Sequence, residues 1–338
     1  MTVRIGVNGF GRIGRNFFRA AKQRGAALDF VAANDLGSVE LMAHLLKHDS
    51  ILGTFDRNVE AVGDGIKVDG DELKILAERD PAALPWGELG VDIVVESTGL
   101  FTEREKAAQH LEAGARSVVI SAPGKGVDGT FVVGVNDDTY DPAQHQVISN
   151  ASCTTNCFVP MVKVLDDAFG VQKGLMTTVH AYTGTQALVD GPVSKDFREA
   201  RAAAINIVPS STGAARATGL VLQALDGKLD GQALRVPVPV GSITDFTAVL
   251  DRETTVDEVN EAFRGASESG PLSGGVLVYS TTPIVSTDII GSTASCTFDA
   301  PLTMAKGDLV KVMGWYDNEW GYSNRLVDLV ELVASKLS

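Results

Sequence analysis

The sequence predicts an α/β chain in two parts: a doubly wound parallel sheet in the first half, then an α+β half built on a large mixed sheet. Three observations carry this. Short apolar runs alternate with helical stretches up to about residue 150. Beyond that point the texture changes to long strand-like segments mixed with separate helices. The 338 residues, 44% hydrophobic and 21% charged, suffice for two cores.

The elements follow in order. Val3–Val7 reads as a strand and Ile13–Arg24 as a helix. Phe30–Ala33, Asp92–Glu96 and Ser117–Ser121 are further apolar runs, with Glu103–Ala113 helical between the last two. Phe131–Val135 and Gln146–Ser149 read as two more strands. Fully apolar strands separated by helices imply a parallel sheet covered on both faces. The next segment, Ser149–Cys157, joins a strand to a helix running to Phe169. Leu175–Tyr182 and Ala233–Leu250 are long strand-like stretches, the latter with Pro237 and Pro239 near its start. Thr212-Gly213 opens a predicted helix to Leu225. Thr255-Val-Asp-Glu258 is a capping box ahead of Val259 and Phe263. Leu309–Trp315 reads as a strand, and the closing helix carries Leu326, Leu329, Val330, Val333 and Leu337 on one face. The change of texture places a boundary near residue 150, between a first domain over 1–152 and a second from 153.

Charge and cysteine usage exclude several roles. A net charge of −14 without a basic tract argues against nucleic-acid or anionic-membrane binding. No apolar run approaches the ~18 residues of a membrane helix, and no secretory signal is evident. Three cysteines, an odd number without zinc-like spacing, predict no disulfide framework, no metal and a reducing, cytoplasmic setting.

Gly9-Phe-Gly11-Arg-Ile-Gly14 follows a predicted strand and opens a predicted helix. Each glycine has a reason there: a tight turn, close approach of backbone to a pyrophosphate, and close helix–sheet packing. The helix N-terminus adds N–H groups and a positive dipole. Asp35 ends the second strand, where a carboxylate binds ribose hydroxyls and repels a 2′-phosphate. The pattern predicts a Rossmann-type sheet that binds NAD rather than NADP.

A second motif points to covalent chemistry. Cys153, in Ser149-Asn-Ala-Ser-Cys-Thr-Thr-Asn-Cys157, stands near a helix N-terminus, where the dipole favours a thiolate. Cys157, one turn deeper, reads as buried and structural. Among the five histidines, His180 lies in a strand shortly after the Cys153 helix and is the candidate base. Lys195, Arg198, Arg201, Arg216 and Arg235 form a basic cluster in an otherwise acidic chain, which suits an anionic substrate.

Taken together, Asn8-Gly-Phe-Gly-Arg-Ile-Gly-Arg15, Ala151-Ser-Cys-Thr-Thr-Asn-Cys157, Thr178-Val-His-Ala-Tyr-Thr183 and Trp315-Tyr-Asp-Asn-Glu-Trp-Gly-Tyr-Ser323 resemble the phosphorylating glyceraldehyde-3-phosphate dehydrogenase family, from the first strand to the last helix. The resemblance implies a homotetramer, with the second domain ending at 317 (153–317) and a helix over 318–338 packing back on the NAD domain. It implies Cys153 as nucleophile and His180 as base. It assigns Gly9, Gly11, Arg12, Ile13, Gly14, Asp35, Arg79, Ser97, Thr98, Ser121, Asn318 and Tyr322 to NAD. Ser152, Thr154, Thr183, Arg198, Thr212, Gly213 and Arg235 fall at the positions for glyceraldehyde 3-phosphate and inorganic phosphate.

The chain departs from the family pattern in two places. Arg198-Glu199 replaces the adjacent arginines of many bacterial relatives, and Val236-Pro-Val-Pro-Val-Gly241 replaces a commoner proline–threonine–proline–asparagine run. The first leaves open which arginine holds inorganic phosphate, and neither touches Cys153 or His180. Asp190-Gly-Pro192 resembles the NAD-using members, and thiol-switched regulation through a cysteine-bearing tail after Leu337 is not expected. Rival readings are an erythrose-4-phosphate dehydrogenase of the same fold and a non-catalytic NAD-binding or adhesion protein.

Overall fold

The computed structural model describes residues 2–192 and 196–337, which form two compact units. One comprises residues 2–131, 139–151 and 323–337; the other comprises Val132–Asp138 and Ser152–Tyr322.

The first unit holds β1 (Val3–Asn8), α1 (Arg12–Arg24), β2 (Leu28–Asn34), α2 (Val39–Lys47) and a small hairpin of β3 (His48–Asp49) and β4 (Gly53–Thr54). There follow β5 (Val59–Val62), β6 (Gly65–Val68), β7 (Asp71–Leu76), β8 (Ile93–Glu96), α3 (Arg104–Ala107), α4 (Gln109–Glu112), β9 (Ser117–Ile120), β10 (Gly129–Thr130) and β11 (Val147–Ser149). Among the described residues its main sheet has nine strands in the order β10-β11-β9-β8-β1-β2-β7-β6-β5. Pairing is parallel from β10 to β7. The order reverses between β1 and β8, which makes the carboxyl ends of those strands the natural ligand crevice. From Ser323 onward the closing helix lies in this unit, where Arg24 bonds the Asn324 carbonyl at 3.1 Å and pairs with Asp328 at 2.5 Å.

Three expectations are corrected here. The sheet is not wholly parallel, because β5 and β6 add an antiparallel ribbon at one edge. Asp69 and Gly70, at φ 51° and 101°, form the tight turn between β6 and β7. Phe131–Val135 is not a strand. Side-chain acceptors take the N–H groups a neighbouring strand would use: Asn136 Oδ1 accepts from Val132 at 2.8 Å, and Asp137 Oδ1 from Gly134 at 2.7 Å. The helical run 103–113 is split at Ala108, where the Leu111 N–H bonds the Ala108 carbonyl only three residues back.

The second unit begins with α5 (Cys153–Phe169) and β12 (Val171–Ala181). It continues through β13 (Val208–Ser211), α6 (Thr218–Val221), β14 (Leu229–Val236), β15 (Ser242–Leu250), α7 (Val256–Glu268), β16 (Leu277–Ser280), β17 (Cys296–Asp299), β18 (Met304–Lys306) and β19 (Leu309–Tyr316) to the start of α8 (Trp320–Lys336). Its sheet is mixed, in the order β13-β14-β12-β15-β19-β17-β16, with β18 also on β19. β15 alternates buried and half-buried residues along its whole length, the period of a strand with one covered face. Phe158 of α5 meets Phe246 edge-on at 4.8 Å, and Phe263 of α7 stacks on Phe298 at 3.8 Å. Gly314 lets α5 ride close on β19: a Cβ there would lie 2.5 Å from both Met161 Sδ and Cys296 Sγ. The capping box on α7 forms as its sequence predicts.

Two more corrections belong to this unit. Ala233–Leu250 is two strands, since Pro237 and Pro239 donate no N–H and Gly241 turns the chain at φ 90°. The helix expected from Thr212 to Leu225 is reduced to α6 and a 3₁₀ turn over Gln223–Leu225. Thr212 Oγ1 accepts the Ala214 N–H at 3.2 Å, a local turn that competes with helix.

Candidate active site

In the first unit the glycine loop behaves as its spacing demands. Gly9 has φ 91°, and a Cβ there would lie 2.6 Å from the Thr98 nitrogen. A Cβ at Gly14 would lie 2.2 Å from the Gly9 oxygen, so α1 packs directly on the end of β1. Gly11, the N-cap of α1, has nothing within 4 Å of its would-be Cβ and no side chain to cap the helix. No acidic residue occupies the first turn, which begins with Arg12 and Ile13. This is an open, positively polarised helix end of the kind that receives a pyrophosphate. The Arg12 guanidinium itself turns to Asp49 at 2.8 Å; burial would raise that carboxyl, but Arg12 and the Leu52 and Ile51 N–H groups bring it down to about 2.

Asp35 leaves β2 beside this loop. Its Oδ2 accepts the Phe10 N–H at 2.9 Å and its Oδ1 the Leu36 N–H at 2.7 Å. Ser97 Oγ donates to the Gly9 carbonyl at 2.6 Å, and the Ser121 N–H to the Glu96 carbonyl at 2.9 Å. Thr98 is held on Glu96, while Arg79 is exposed beside Glu78, whose carboxylate accepts the Arg79 N–H at 2.7 Å. These residues thus gather at the carboxyl ends of the parallel strands, and they fit a dinucleotide. Asn318 and Tyr322 lie in the second unit, both buried; Asn318 Oδ1 accepts from the Gly241 N–H and Ser242 Oγ, each at 3.2 Å.

The second unit brings the candidate nucleophile and the candidate base together. Cys153 is the first residue of α5, with Ser152 as N-cap accepting the Thr155 N–H at 3.0 Å. Ala151, just before the cap, has φ 56°, a conformation that L residues rarely adopt. Along β12, Met176, Thr178 and His180 share the buried face. His180 Nε2 stands 3.5 Å from Cys153 Sγ. Cys157 is fully buried, as its place in the helix implies.

The other imidazole nitrogen meets two partners that cannot both be satisfied. Arg235 Nη1 and the Ala181 carbonyl oxygen each lie 2.7 Å from His180 Nδ1. A guanidinium only donates and a carbonyl only accepts, so the contacts belong to different tautomers. When Nδ1–H donates to Ala181, Nε2 is the bare nitrogen facing sulfur. Burial pushes the Cys153 thiol up to about 11, against the Arg235 charge and the Thr154 hydrogen bonds. Burial, then the Arg235 charge, pushes His180 down to about 3, against the Ala181 carbonyl. What opposes burial is the helix N-terminus, worth up to ~2 kcal/mol, and the attraction of a thiolate–imidazolium pair, roughly 4 kcal/mol at an effective dielectric of about 20.

The anion-binding candidates occupy several places. Arg235 is the register partner of His180 on β14. Thr154 Oγ1 bonds the Tyr316 hydroxyl at 2.8 Å, and the Thr183 N–H bonds Gln186 Oε1 at 3.1 Å. Arg198 is exposed, its N–H on Asp196 at 2.7 Å. Thr212 and Gly213 follow β13, beyond its Ser211–Gln232 end. The basic cluster thins out: Arg201 pairs with Asp190 at 2.7 Å and Arg216 with Asp230 at 3.8 Å, while Lys195 lies outside the described residues.

Comparison with known proteins identifies the family. The family model "Glyceraldehyde 3-phosphate dehydrogenase, NAD binding domain" matches residues 3–104, and that for the C-terminal domain matches residues 152–318. The chain belongs to the glyceraldehyde-3-phosphate dehydrogenase family. Among its relatives, the glyceraldehyde-3-phosphate dehydrogenase of Streptomyces coelicolor is 60% identical over 338 residues, spanning the whole of both chains. Glyceraldehyde-3-phosphate dehydrogenase 2 of Streptomyces arenae is 61% identical over 337 residues, and the Mycobacterium tuberculosis enzyme 60% over 343, again across both full lengths.

Within this glyceraldehyde-3-phosphate dehydrogenase fold, Tyr316 is the residue that sequence reasoning missed, although it stands in the quoted Trp315-Tyr-Asp-Asn segment. Its buried hydroxyl lies 2.8 Å from both Thr154 Oγ1 and Thr178 Oγ1, tying the first turn of α5 to β12. Its ring meets His180 edge-on at 5.8 Å. Spacing along the chain gives no hint of a bridge between residues so far apart. Tyr316→Phe removes both hydrogen bonds and is expected to cost about 1–2 kcal/mol of stability. Alkylation of Cys153 by iodoacetamide at neutral pH should slow severalfold; an unchanged rate beside the lost stability would reduce Tyr316 to packing.

Proposed function

We propose that this chain oxidises D-glyceraldehyde 3-phosphate to 1,3-bisphosphoglycerate, with NAD reduced and inorganic phosphate consumed. The observation that carries the reading is Cys153 Sγ at a helix N-terminus, 3.5 Å from His180 Nε2, with Arg235 on the far side of the same ring. The Cys153 sulfur gives its proton to His180 Nε2 and adds to the aldehyde carbon, and the imidazolium returns that proton to the aldehyde oxygen, giving a hemithioacetal. His180 Nε2 then takes the hydroxyl proton as hydride leaves that carbon, and a thioester remains. NAD, when bound, supplies the hydride acceptor. The Cys153 N–H and His180 steady the developing oxyanion, at ~3 kcal/mol for each such donor. Phosphate attacks the thioester carbon, the C–S bond breaks, and the thiolate is regenerated as acyl phosphate leaves. An anion that engages Arg235 draws it from Nδ1 and leaves that nitrogen to Ala181, the tautomer a base requires.

The phosphate-binding roles of Ser152, Thr154, Thr183, Arg198, Thr212, Gly213 and Arg235, and the NAD roles given above, are part of the proposal. So is a homotetramer. Its support is apolar surface that one chain leaves uncovered: Leu175 is 69% exposed beside a groove of about 630 Å³ on the outer face of the mixed sheet, and Phe197 is 93% exposed. A cytoplasmic place is supported by three unpaired cysteines, and no described helix is long and apolar enough to cross a membrane.

Purified chain given glyceraldehyde 3-phosphate and NAD should form NADH only when inorganic phosphate is present, and Cys153→Ser should abolish this while still binding NAD. Turnover indifferent to phosphate would instead point to transfer of the acyl group to water, as in an erythrose-4-phosphate dehydrogenase. Asp35→Gly should raise the relative use of NADP; a wild-type NAD/NADP ratio would remove Asp35 from the ribose. Light scattering should give four times the chain mass, and a monomer at assay concentration would end the tetramer reading.

A further inference from the structure

The carboxyl ends of β7, β2, β1, β8 and β9 are aligned as one row: Leu76, Asn34, Asn8, Glu96 and Ile120. The row beneath is Ile75, Ala33, Val7, Val95 and Val119, all apolar. At the last step before the loops, three neighbouring strands therefore switch to buried polar side chains, and these are hydrogen-bonded to one another. Asn34 Nδ2 donates to Asn8 Oδ1 at 2.7 Å, and Asn8 Nδ2 donates to Glu96 Oε2 at 2.6 Å. On its far side Asn34 clamps the Glu78 backbone, donating to the carbonyl and accepting the N–H, both at 2.8 Å. Glu96, 1% exposed, also accepts the Thr98 N–H at 2.8 Å and the Thr98 hydroxyl.

The chain of donors extends inward. The Trp86 indole N–H can only donate, and it meets His110 Nδ1 at 3.0 Å. A neutral His110 therefore carries its proton on Nε2, which lies 3.0 Å from Glu96 Oε2. With that assignment each amide has one orientation, and the carboxylate receives Asn8, His110 and both Thr98 donors. A fully satisfied buried network is rigid, whereas an apolar row would pack as well without fixing any loop.

We infer that Glu96, backed by His110 and Trp86 and extended through Asn8 and Asn34, is a positioning device for the coenzyme. It sets at once the three loops that begin at Gly9, at Arg79 and at Thr98. Side-chain bonds carry this for two of them: Asn34 holds Glu78, the neighbour of Arg79, and Glu96 holds Thr98; the third loop starts directly after Asn8 of the row, and its Gly9 N–H bonds the Asn34 main-chain carbonyl at 2.9 Å. None of the network residues needs to touch coenzyme. The inference rests on the reading that this unit binds NAD.

The test is NAD binding by calorimetry and steady-state kinetics on the full chain and on Glu96→Gln and Trp86→Phe. In Glu96→Gln one acceptor oxygen becomes a donor facing donors. Its Kd and KM for NAD should rise about tenfold or more, with kcat at saturating NAD within about threefold and Cys153 alkylation unchanged. Trp86→Phe releases only the inner end of the chain and should raise Kd about threefold; it decides the matter if Glu96→Gln does not fold. A lowered melting temperature with wild-type NAD affinity in whichever variant folds would overturn the inference, leaving the row a purely structural feature. Failure of the wild-type chain to bind NAD would instead bring down the reading beneath it.

Discussion

The thiol of Cys153 and the imidazole of His180 face each other at 3.5 Å in surroundings that push both toward the neutral state. Their chemistry depends on holding that distance while the proton moves, and the second unit supplies the holding. α5 can start where it does because Gly314 lets it settle onto β19, and because Ser152 caps its first turn. β12 brings His180 to the same buried face through simple alternation. Tyr316 then closes the pair from behind by bonding both elements. Remove the register of β12 against β15 and β14, and no local feature of the His180 segment would bring it to the sulfur.

Anion chemistry in a chain of net charge −14 demands that cations be placed rather than merely present. Several arginines are already committed to nearby carboxylates, as in Arg12–Asp49, Arg201–Asp190 and Arg216–Asp230. The two exposed pairs, Arg201–Asp190 and Arg216–Asp230, contribute ~1 kcal/mol or less. Arg235 is different because its immediate neighbour is an imidazole. Its charge acts on His180 directly, so any change in what Arg235 binds changes the base as well. On the proposed reading, in which an anion engages Arg235 and His180 is the base, a single guanidinium couples anion binding to proton transfer.

What the sequence made legible was local. The glycine loop, the capping box at Thr255, and a helix starting at Cys153 are each written in a few adjacent residues, and backbone sterics leave them little choice. Errors arose where side chains a few positions away outcompeted the apolar pattern. Phe131–Val135 has the look of a strand, yet Asn136 and Asp137 claim its N–H groups. The helix after Gly213 stops short, and the prolines at 237 and 239 carried the break in Ala233–Leu250 that the apolar count hid. The antiparallel edge was signalled by Asp69-Gly70, the turn from β6 into β7, but its outermost strand β5 is largely exposed and carries little apolar alternation. Tyr316 and the Asn34–Asn8–Glu96 row could not be read at all, because cross-strand register belongs to no single strand.

The two carboxylates at the carboxyl ends of the central strands β2 and β8 show how the same chemical group serves two ends. Asp35 is only partly buried and holds N–H groups of its own loop and of Phe10, so its remaining surface is available to a ligand's hydroxyls. Glu96 is almost wholly buried, and every donor around it comes from the protein. Losing one partner of such a buried charge typically costs ~3–5 kcal/mol, far more than an exposed hydrogen bond. That steepness is what makes Glu96 suited to hold loops in place and unsuited to exchange partners with a ligand. On the proposed reading Asp35, with a shallower penalty, does the exchanging. A binding edge that must be rigid yet still accept a coenzyme needs both kinds of carboxylate, one strand apart on either side of β1.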